Sequence, residues 1–553
     1  MSGGKAMNWT RIAAAALCCV SNRAGDAAMK RRRFLQAATA SLAAPALVGA
    51  AGRKLLKIIP EGDLAILDPV WTTATVARNH GYMVFDTLYS QDADYVIRPQ
   101  MVAGHLVEND GLLWTLTLRE GLRFHDGEPV RGQDAVASIR RFAARDSFAR
   151  ALMEATDELS APDDRTIRFR LRRRFPLLPN ALGKTGTPMP CIMPERLALT
   201  DPTKQVTEMV GSGPYRFVPG ERVAGSRVVY HRNETYVPRP DGPPTFTAGP
   251  KVAHFERVEW HVIPDASTAV SALLNGEVDW AQNPAPDLLD MIRANPRMKV
   301  WNLDPAGGIA IMRFNHLYPP FDNPAIRRAL LGAIDQAEFM TAAAGTDRSL
   351  WKDNVGVFSP DTPMASTVGL EELTGPRDFA AVRRALEEAG YKGTPVVMLG
   401  ASDYPATNGP ALVGADTLRK VGMNVDFQQV DWGTTIQRRA SKQPPDKGGW
   451  NIFYTYLNGT NNFDPAGHLG IRGNGGDAWF GWPTAPKLEA LRAAWFEAPD
   501  QAAQKAICER IQAQFWQDVP YIPLGCLYAP TAHNKGLVGM RNGFVQFYDV
   551  RWG

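Results

Sequence analysis

The feature that most constrains this chain is the absence, beyond residue 52, of any stretch long and apolar enough to cross a bilayer. A spanning helix wants about twenty strongly apolar residues. The nearest approach is residues 36–52, seventeen uncharged residues that are nearly half alanine, with serine, threonine and proline among them. That run is too short and too mildly hydrophobic to stay in a membrane. Everything after it has to bury its apolar surface against itself, and about 500 residues are enough for two or three domains with proper cores.

The run reads instead as an address. A basic cluster, Lys30 to Arg33, precedes it, and Gly49, Ala50 and Ala51 close it. Basic, then apolar, then small is the layout of a cleavable export signal. Paired arginines followed by Phe34 and Leu35 resemble the twin-arginine signal. A second apolar patch, "IAAAALCCV", ends in a poor lipid-attachment box, and the true start is read as Met29. Cleavage is expected near residues 50–52, leaving a soluble periplasmic chain.

Export reverses the charge balance. The leader holds seven of the 61 basic residues and one of the 57 acidic ones, so 54 face 56 in the mature chain. The basicity belongs to the address, and no electrostatic footprint for nucleic acid remains. Cys18 and Cys19 leave with the leader. Cys191, Cys508 and Cys526 allow one bridge at most, Cys508–Cys526 being the candidate.

The mature chain alternates strand and helix patterns, which places it in the α/β or mixed α+β class. "LWTLTLREGLRFHDGEPV" predicts two short strands joined at Glu120-Gly121 and closed by a turn at Asp126-Gly127. "RTIRFRLRR" puts Ile167, Phe169 and Leu171 on one strand face. "VEWHVIPDASTAVSALLNGEVDWAQ" predicts strand, helix and strand, with Asp265 or Ser267 capping and Gly276 ending the helix. "DNPAIRRALLGAIDQAEFM" predicts one helix capped by Asn323, "DFAAVRRALEEAGY" another stopped by Gly390, and 485–519 reads as nearly all helix. The stretches 237–250 and 441–449, rich in proline and glycine, are expected to be exposed loops.

Enzyme chemistry finds no motif. There is no G-x-S-x-G elbow, H-E-x-x-H, Walker loop or dinucleotide fingerprint. "GIRGNGGD" (470–477) lacks a leading strand and a following Gly-Lys-Ser/Thr, and reads as a flexible loop. His125, Asp126 and Glu128 share one tight turn, whereas metal ligands usually come from separate elements. A solvated hairpin turn is expected there, and neither a metal site nor a cofactor nor a catalytic residue is assigned.

Five stretches, in order, resemble the extracytoplasmic solute-binding proteins of ABC importers, in the family (family 5) that contains dipeptide, oligopeptide and nickel receptors. They are "LDPVWTTATVARNHGYMVFDTLY" (67–89), "LTLREGLRFHDGEPVRGQDAVASI" (116–139), "VGSGPYRFVPG" (210–220), "MRFNHLYPPFDNPAIRRALLGAIDQAEF" (312–339) and "DVPYIPL" (518–524). The resemblance implies a two-lobed periplasmic binding protein of type II fold, closing on its ligand like a hinged trap. It implies a first lobe at 53–303 with 520–553 returning to it, an extra subdomain at about 96–205, and a second lobe at 304–519. It also implies a monomer that hands a small-molecule or peptide ligand to an inner-membrane ABC permease with separate ATPase subunits. A secreted two-lobed hydrolase and a structural envelope protein are the alternatives.

In the peptide receptors of this family a carboxylate three positions before an Asp-Pro or Glu-Pro acid pairs with the ligand's α-ammonium. Here the motif is Asp464-Pro465 and that position is Asn461, while Asn458 stands where a tryptophan is expected. Thr73 is neutral where some oligopeptide receptors carry an acid, and Thr75 is assigned to the same pocket. Losing a charge-assisted bond costs roughly 1 kcal/mol or more. The neutral set predicts a ligand without a free α-ammonium: a blocked or modified peptide, an opine-like compound or an oligosaccharide. A shifted loop in which Asp464 does the pairing is the competing assignment.

Overall fold

Two mixed sheets, described by a computed structural model that covers residues 54–402 and 405–553, organise the chain. The predicted leader, its cleavage point and the Met29 start lie outside the described residues. The first sheet runs in the order Tyr215–Phe217, Arg227–Arg232, Arg257–His261, Leu55–Ile59, Trp280–Ala281, Pro530–Asn534, Met298–Asn302. At its centre Leu55–Ile59 lies parallel to both neighbours, and Leu56, Ile58 and Ile59 are buried, as expected of an apolar strand covered on both faces. The second sheet runs Trp351–Lys352, Tyr521–Leu527, Gly308–Phe314, Ile452–Asn458, Val396–Ala401, Val425–Val430. A separate four-stranded sheet of Val102–Glu108, Leu113–Leu118, Thr166–Leu171 and Thr156–Asp163 lies within 96–205. Its strands alternate: Trp114, Leu116 and Leu118, then Ile167, Phe169 and Leu171, point into the core. Among the described residues no helix is long and apolar enough to cross a membrane.

The chain crosses between the main sheets along one seam. Met298–Asn302 pairs antiparallel with Pro530–Asn534 as far as Asn302 opposite Pro530. The ladder resumes with Gly308 opposite Leu527 in the second sheet. Residues 303–307 and 528–529 are therefore crossings that lie outside both ladders, with backbone bonds of their own such as Tyr528 N–H to Leu350 O at 2.8 Å. Gly307 has φ +58°, and a Cβ there would meet Cys526 Sγ and Leu527 O at 2.7 Å, so this turn requires glycine. Strand Tyr521–Leu527 belongs to the second sheet, so the chain re-enters the first at Pro530 rather than at 520.

Local signals decide where helices break. Asp265, not Ser267, caps Ala266–Asn275, accepting from Thr268 N–H at 2.7 Å, and Gly276 ends it in the left-handed region. Asp378 and Gly390 bracket Phe379–Glu388. The single helix expected at 323–341 is interrupted. Asn323 caps Pro324–Ala329, a tighter turn follows, and Ile334 goes extended to bury its side chain. Asp335 then caps Gln336–Ala344, accepting from Ala337 N–H at 2.9 Å. Likewise 485–519 is two helices, Pro486–Phe496 and Gln501–Asp518, because Asp500 caps the second.

Other expectations yield to packing. The second strand of the 113–130 hairpin shrinks to a bridge between Arg123 and Pro129. The turn there is not wholly solvated: His125 is buried, and its ring nitrogens meet Gly213 O at 3.1 Å and Gly211 N–H at 3.4 Å. Burial holds its pKa down at about 4. No group of three metal-capable side chains occurs among the described residues. The 237–250 stretch is not fully exposed, since Phe246, Thr247 and Ala248 tuck inward and Thr247 bonds Gln91. Cys191, Cys508 and Cys526 are buried free thiols, so Cys508 and Cys526 form no bridge.

Arg313 ties the 470–480 segment down. Fully buried, it donates to the carbonyls of Phe480 (2.6 Å), Gly470 (2.8 Å), Pro520 (3.2 Å) and Trp479 (3.3 Å). Desolvation pulls its pKa down to about 9. Arg313→Met strands those carbonyls, and urea unfolding should show a loss of about 3–5 kcal/mol; a loss below about 1 kcal/mol would contradict this account.

Candidate ligand-binding cleft

The loop after strand Ile452–Asn458 carries most of the predicted site residues, and it faces the first lobe. The strand ends at Asn458, opposite Gly308, and Asn458 stands at the N-terminus of the short helix Gly459–Asn462 without making a side-chain cap bond. From there four consecutive contacts span the lobes. Arg78 Nη1 donates to Thr460 Oγ1 at 3.2 Å, and Asn461 Nδ2 to Thr187 Oγ1 at 3.4 Å. The rings of Tyr95 and Phe463 lie 5.1 Å apart, and Ser147 Oγ donates to Ala466 O at 3.3 Å.

Asn461 also packs against Gly186. Its Oδ1 is buried and receives no donor. A Cβ on Gly186 would stand 1.8 Å from that oxygen and 3.1 Å from Thr460 O. The first lobe can therefore approach the loop this closely only because residue 186 is glycine.

Beside the loop opens a cavity of about 400 Å³, with walls from both lobes. Tyr89, Tyr95 and Pro176 line one side, and Phe463, Asp464 and Trp495 the other. Aromatic walls with polar groups such as His105, Asn180 and Gln504 among them suit an organic solute that carries hydrogen-bonding groups. Asp464 Oδ1 accepts Ala466 N–H at 2.8 Å and Gly467 N–H at 3.3 Å. Desolvation outweighs those bonds and the more distant Lys184 and Arg492, raising its pKa to about 6. Lys184 is committed to Asp146 at 2.5 Å.

The two threonines separate. Thr75 opens the helix Thr75–Val84 and its hydroxyl bonds the Glu61 carboxylate. Thr73 is exposed, two residues before that helix. The structure thus gathers Thr75 with Arg78 on one helix and Asn458, Asn461 and Asp464 on the facing loop. Glu61, Arg78, Tyr95, Gly186 and Asp304 were not singled out by sequence. One signal was available: Arg78, Asn79 and His80 are consecutive polar residues inside a helix, and all three are buried.

Asp304, in the 303–307 crossing, has its pKa raised to about 6 by desolvation, against the pull of Arg78 and two backbone N–H groups. Glu61 keeps an edge in water, yet the cleft walls raise its pKa too.

The model of the bacterial extracellular solute-binding proteins, family 5, matches residues 96–474. The chain belongs to that family. A probable peptide ABC transporter periplasmic-binding protein of Sinorhizobium fredii is 37% identical over 517 residues, covering 91% of this chain and 95% of its own. Among solved structures, AgaA of A. tumefaciens in complex with agropinic acid superposes with a TM-score of 0.74 at 20% identity, covering 91% of this chain and 99% of its own. DppA of Helicobacter pylori in complex with the peptide STSA gives 0.71 at 19% identity, covering 90% and 98%. The fold is that of the two-lobed type II periplasmic binding proteins, and the chain is the solute-binding component of an ABC importer. The hydrolase alternative draws no support from these likenesses.

Two outcomes follow. Gly186→Ala puts a methyl group onto Asn461 Oδ1, so it should weaken the solute retained by the wild-type protein at least about tenfold (~1.4 kcal/mol) with the melting temperature unchanged; equal affinity would contradict the close approach. Asp304 has a folded-state pKa above its ordinary value, so its contribution to stability is present below pH 4 and lost as pH rises through about 6. Asp304→Asn should therefore stabilise the protein by ~1–2 kcal/mol at pH 8 and by nothing at pH 4, read from urea midpoints.

Proposed function

We propose that this chain captures a peptide-like solute in the periplasm, after removal of its leader near residues 50–52, and delivers it as a monomer to an inner-membrane permease driven by separate ATPase subunits. It performs no catalysis itself. The lobes divide at 303–307 and 528–529, with the 96–205 region as a subdomain of the first. Supporting this reading is the loop that carries Asn461 and Asp464, which closes on the first lobe beside an aromatic cavity of about 400 Å³. The 37% identical relative is named a probable peptide transporter component, which fits the same class.

The ligand lacks a free α-ammonium at the Asn461 position. Asn461 offers a buried oxygen with no donor, which suits an uncharged amide N–H of the solute. Asn458 at the base of the loop and Thr73 carry no charge either, and Thr75 is assigned to the same pocket through the helix it shares with Arg78. A second reading has its own observation: Asp464 lines the cavity with only the more distant Lys184 and Arg492 acting on it, and a ligand ammonium would supply a closer cation.

Calorimetry with N-acetylated and free-amino dipeptides separates the two. The first reading expects the acetylated form to bind about tenfold tighter or more, Asn461→Asp to reverse that order, and Asp464→Asn to leave it unchanged. Submicromolar binding of free dipeptides that Asn461→Asp does not tighten and Asp464→Asn abolishes would overturn it in favour of Asp464.

A further inference from the structure

Buried guanidinium groups survive when every nitrogen is used or a carboxylate sits against them. Arg313 meets the first condition with four carbonyls. Arg78 meets neither. It is 5% exposed, its Nε has no partner, and no carboxylate oxygen lies within 4.0 Å of it among the described residues. Its contacts are Thr460 Oγ1 at 3.2 Å, Asn79 Oδ1 at 3.4 Å and the face of Phe544, with its guanidinium carbon 3.9 Å from the ring centroid. Thr460 comes from the opposite lobe, so the group sits where the lobes meet.

We propose that Arg78 is the anion anchor of the cleft: it takes a carboxylate of the solute in the open state, and closure brings Thr460 of the second lobe onto the same guanidinium. The Phe544 ring lies under the guanidinium carbon at 3.9 Å, and a guanidinium fork suits a planar, bidentate partner. The charge of that partner is set by the surroundings. Glu61 and Asp304 both act on Arg78 electrostatically. Two acids at that range repel a phosphate dianion more than a carboxylate, which carries one charge. Burial raises the pKa of both acids, which limits the repulsion the carboxylate meets.

The inference deepens the peptide-like reading and rests on it, giving a solute with a neutral end at Asn461 and an acidic group at Arg78. The test uses a matched pair on the mature protein, N-acetyl-alanyl-alanine and its C-terminal amide, with affinities read by calorimetry. The expected result is an acid bound at least tenfold tighter than its amide by the wild type. In Arg78→Met the two should bind within about twofold, and Arg78→Lys should keep part of the preference. Thr460→Val should weaken the acid alone, by two- to fivefold. Equal wild-type binding of acid and amide overturns the anchor and leaves the peptide-like reading standing; should Arg78→Met fail to fold, the wild-type ratio and Arg78→Lys decide. Binding of neither overturns the peptide-like reading instead. The anchor is then judged on the molecule released from native protein by denaturing mass spectrometry: an acidic compound that Arg78→Lys retains less well supports it, and a compound without an acidic group, or none at all, overturns it.

Discussion

The paired crossing at 303–307 and 528–529 is the constraint on which the rest depends. Two antiparallel ladders share the same two chain segments, one in each sheet, and are interrupted together. On either side each segment is locked by a register of backbone bonds that a rigid sheet resists changing. Between them only a few residues must absorb any relative rotation, which is how a hinge of loop residues works. Gly307 and the Asp304 turn give that seam its shape, and Trp280 Nε1, bonded to Thr531 Oγ1 at 2.6 Å, anchors the first-sheet side.

Because the crossings are adjacent, the lobes can rotate about them without tearing either sheet. Closure then has to be driven by contacts on the far side of the hinge. At the loop these are a hydrogen bond of 3.2 Å, one of 3.4 Å, an aromatic pair and a hydroxyl-to-carbonyl bond; beyond it Phe148 and Phe175 pack on Trp495 and Phe496, and Arg173 pairs with Glu497 at 3.3 Å. Against them stand two buried polar atoms with no partner, Arg78 Nε and Asn461 Oδ1, and each such atom costs about 1–3 kcal/mol. Both atoms belong to groups that stand where the lobes meet. A solute that satisfies them removes the penalty, which is the differential affinity that a ligand-driven closure needs.

Much of this framework was legible in the sequence because it is written in local signals. Alternating Ile167, Phe169 and Leu171 could only be a half-buried strand, and Asp265 with Gly276 marks both ends of its helix. The loop bearing Asn461 and Asp464 was found through its Asp-Pro motif, and it faces the first lobe. What failed depended on distant partners. Nothing in "ALLGAIDQ" announces that Ile334 gains more from burial than from staying helical, nor that Tyr521–Leu527 pairs with Gly308–Phe314 before its chain leaves the second sheet. The Cys508–Cys526 pairing was arithmetic on three residues, and the fold buries each thiol separately.

The residues missed in the cleft share a physical reason. Arg78, Gly186 and Asp304 belong to three separate segments of the chain, and their roles arise only when the second lobe arrives. Gly186 is unremarkable until Asn461 Oδ1 stands where its Cβ would be. Asp304 is an ordinary turn carboxylate until the crossing buries it beside Arg78. The recognition groups sit on segments far apart in sequence, and only their meeting across the cleft gives them a common role. Motif reading therefore finds the loop that moves, while the geometry of closure identifies the groups that the solute must satisfy.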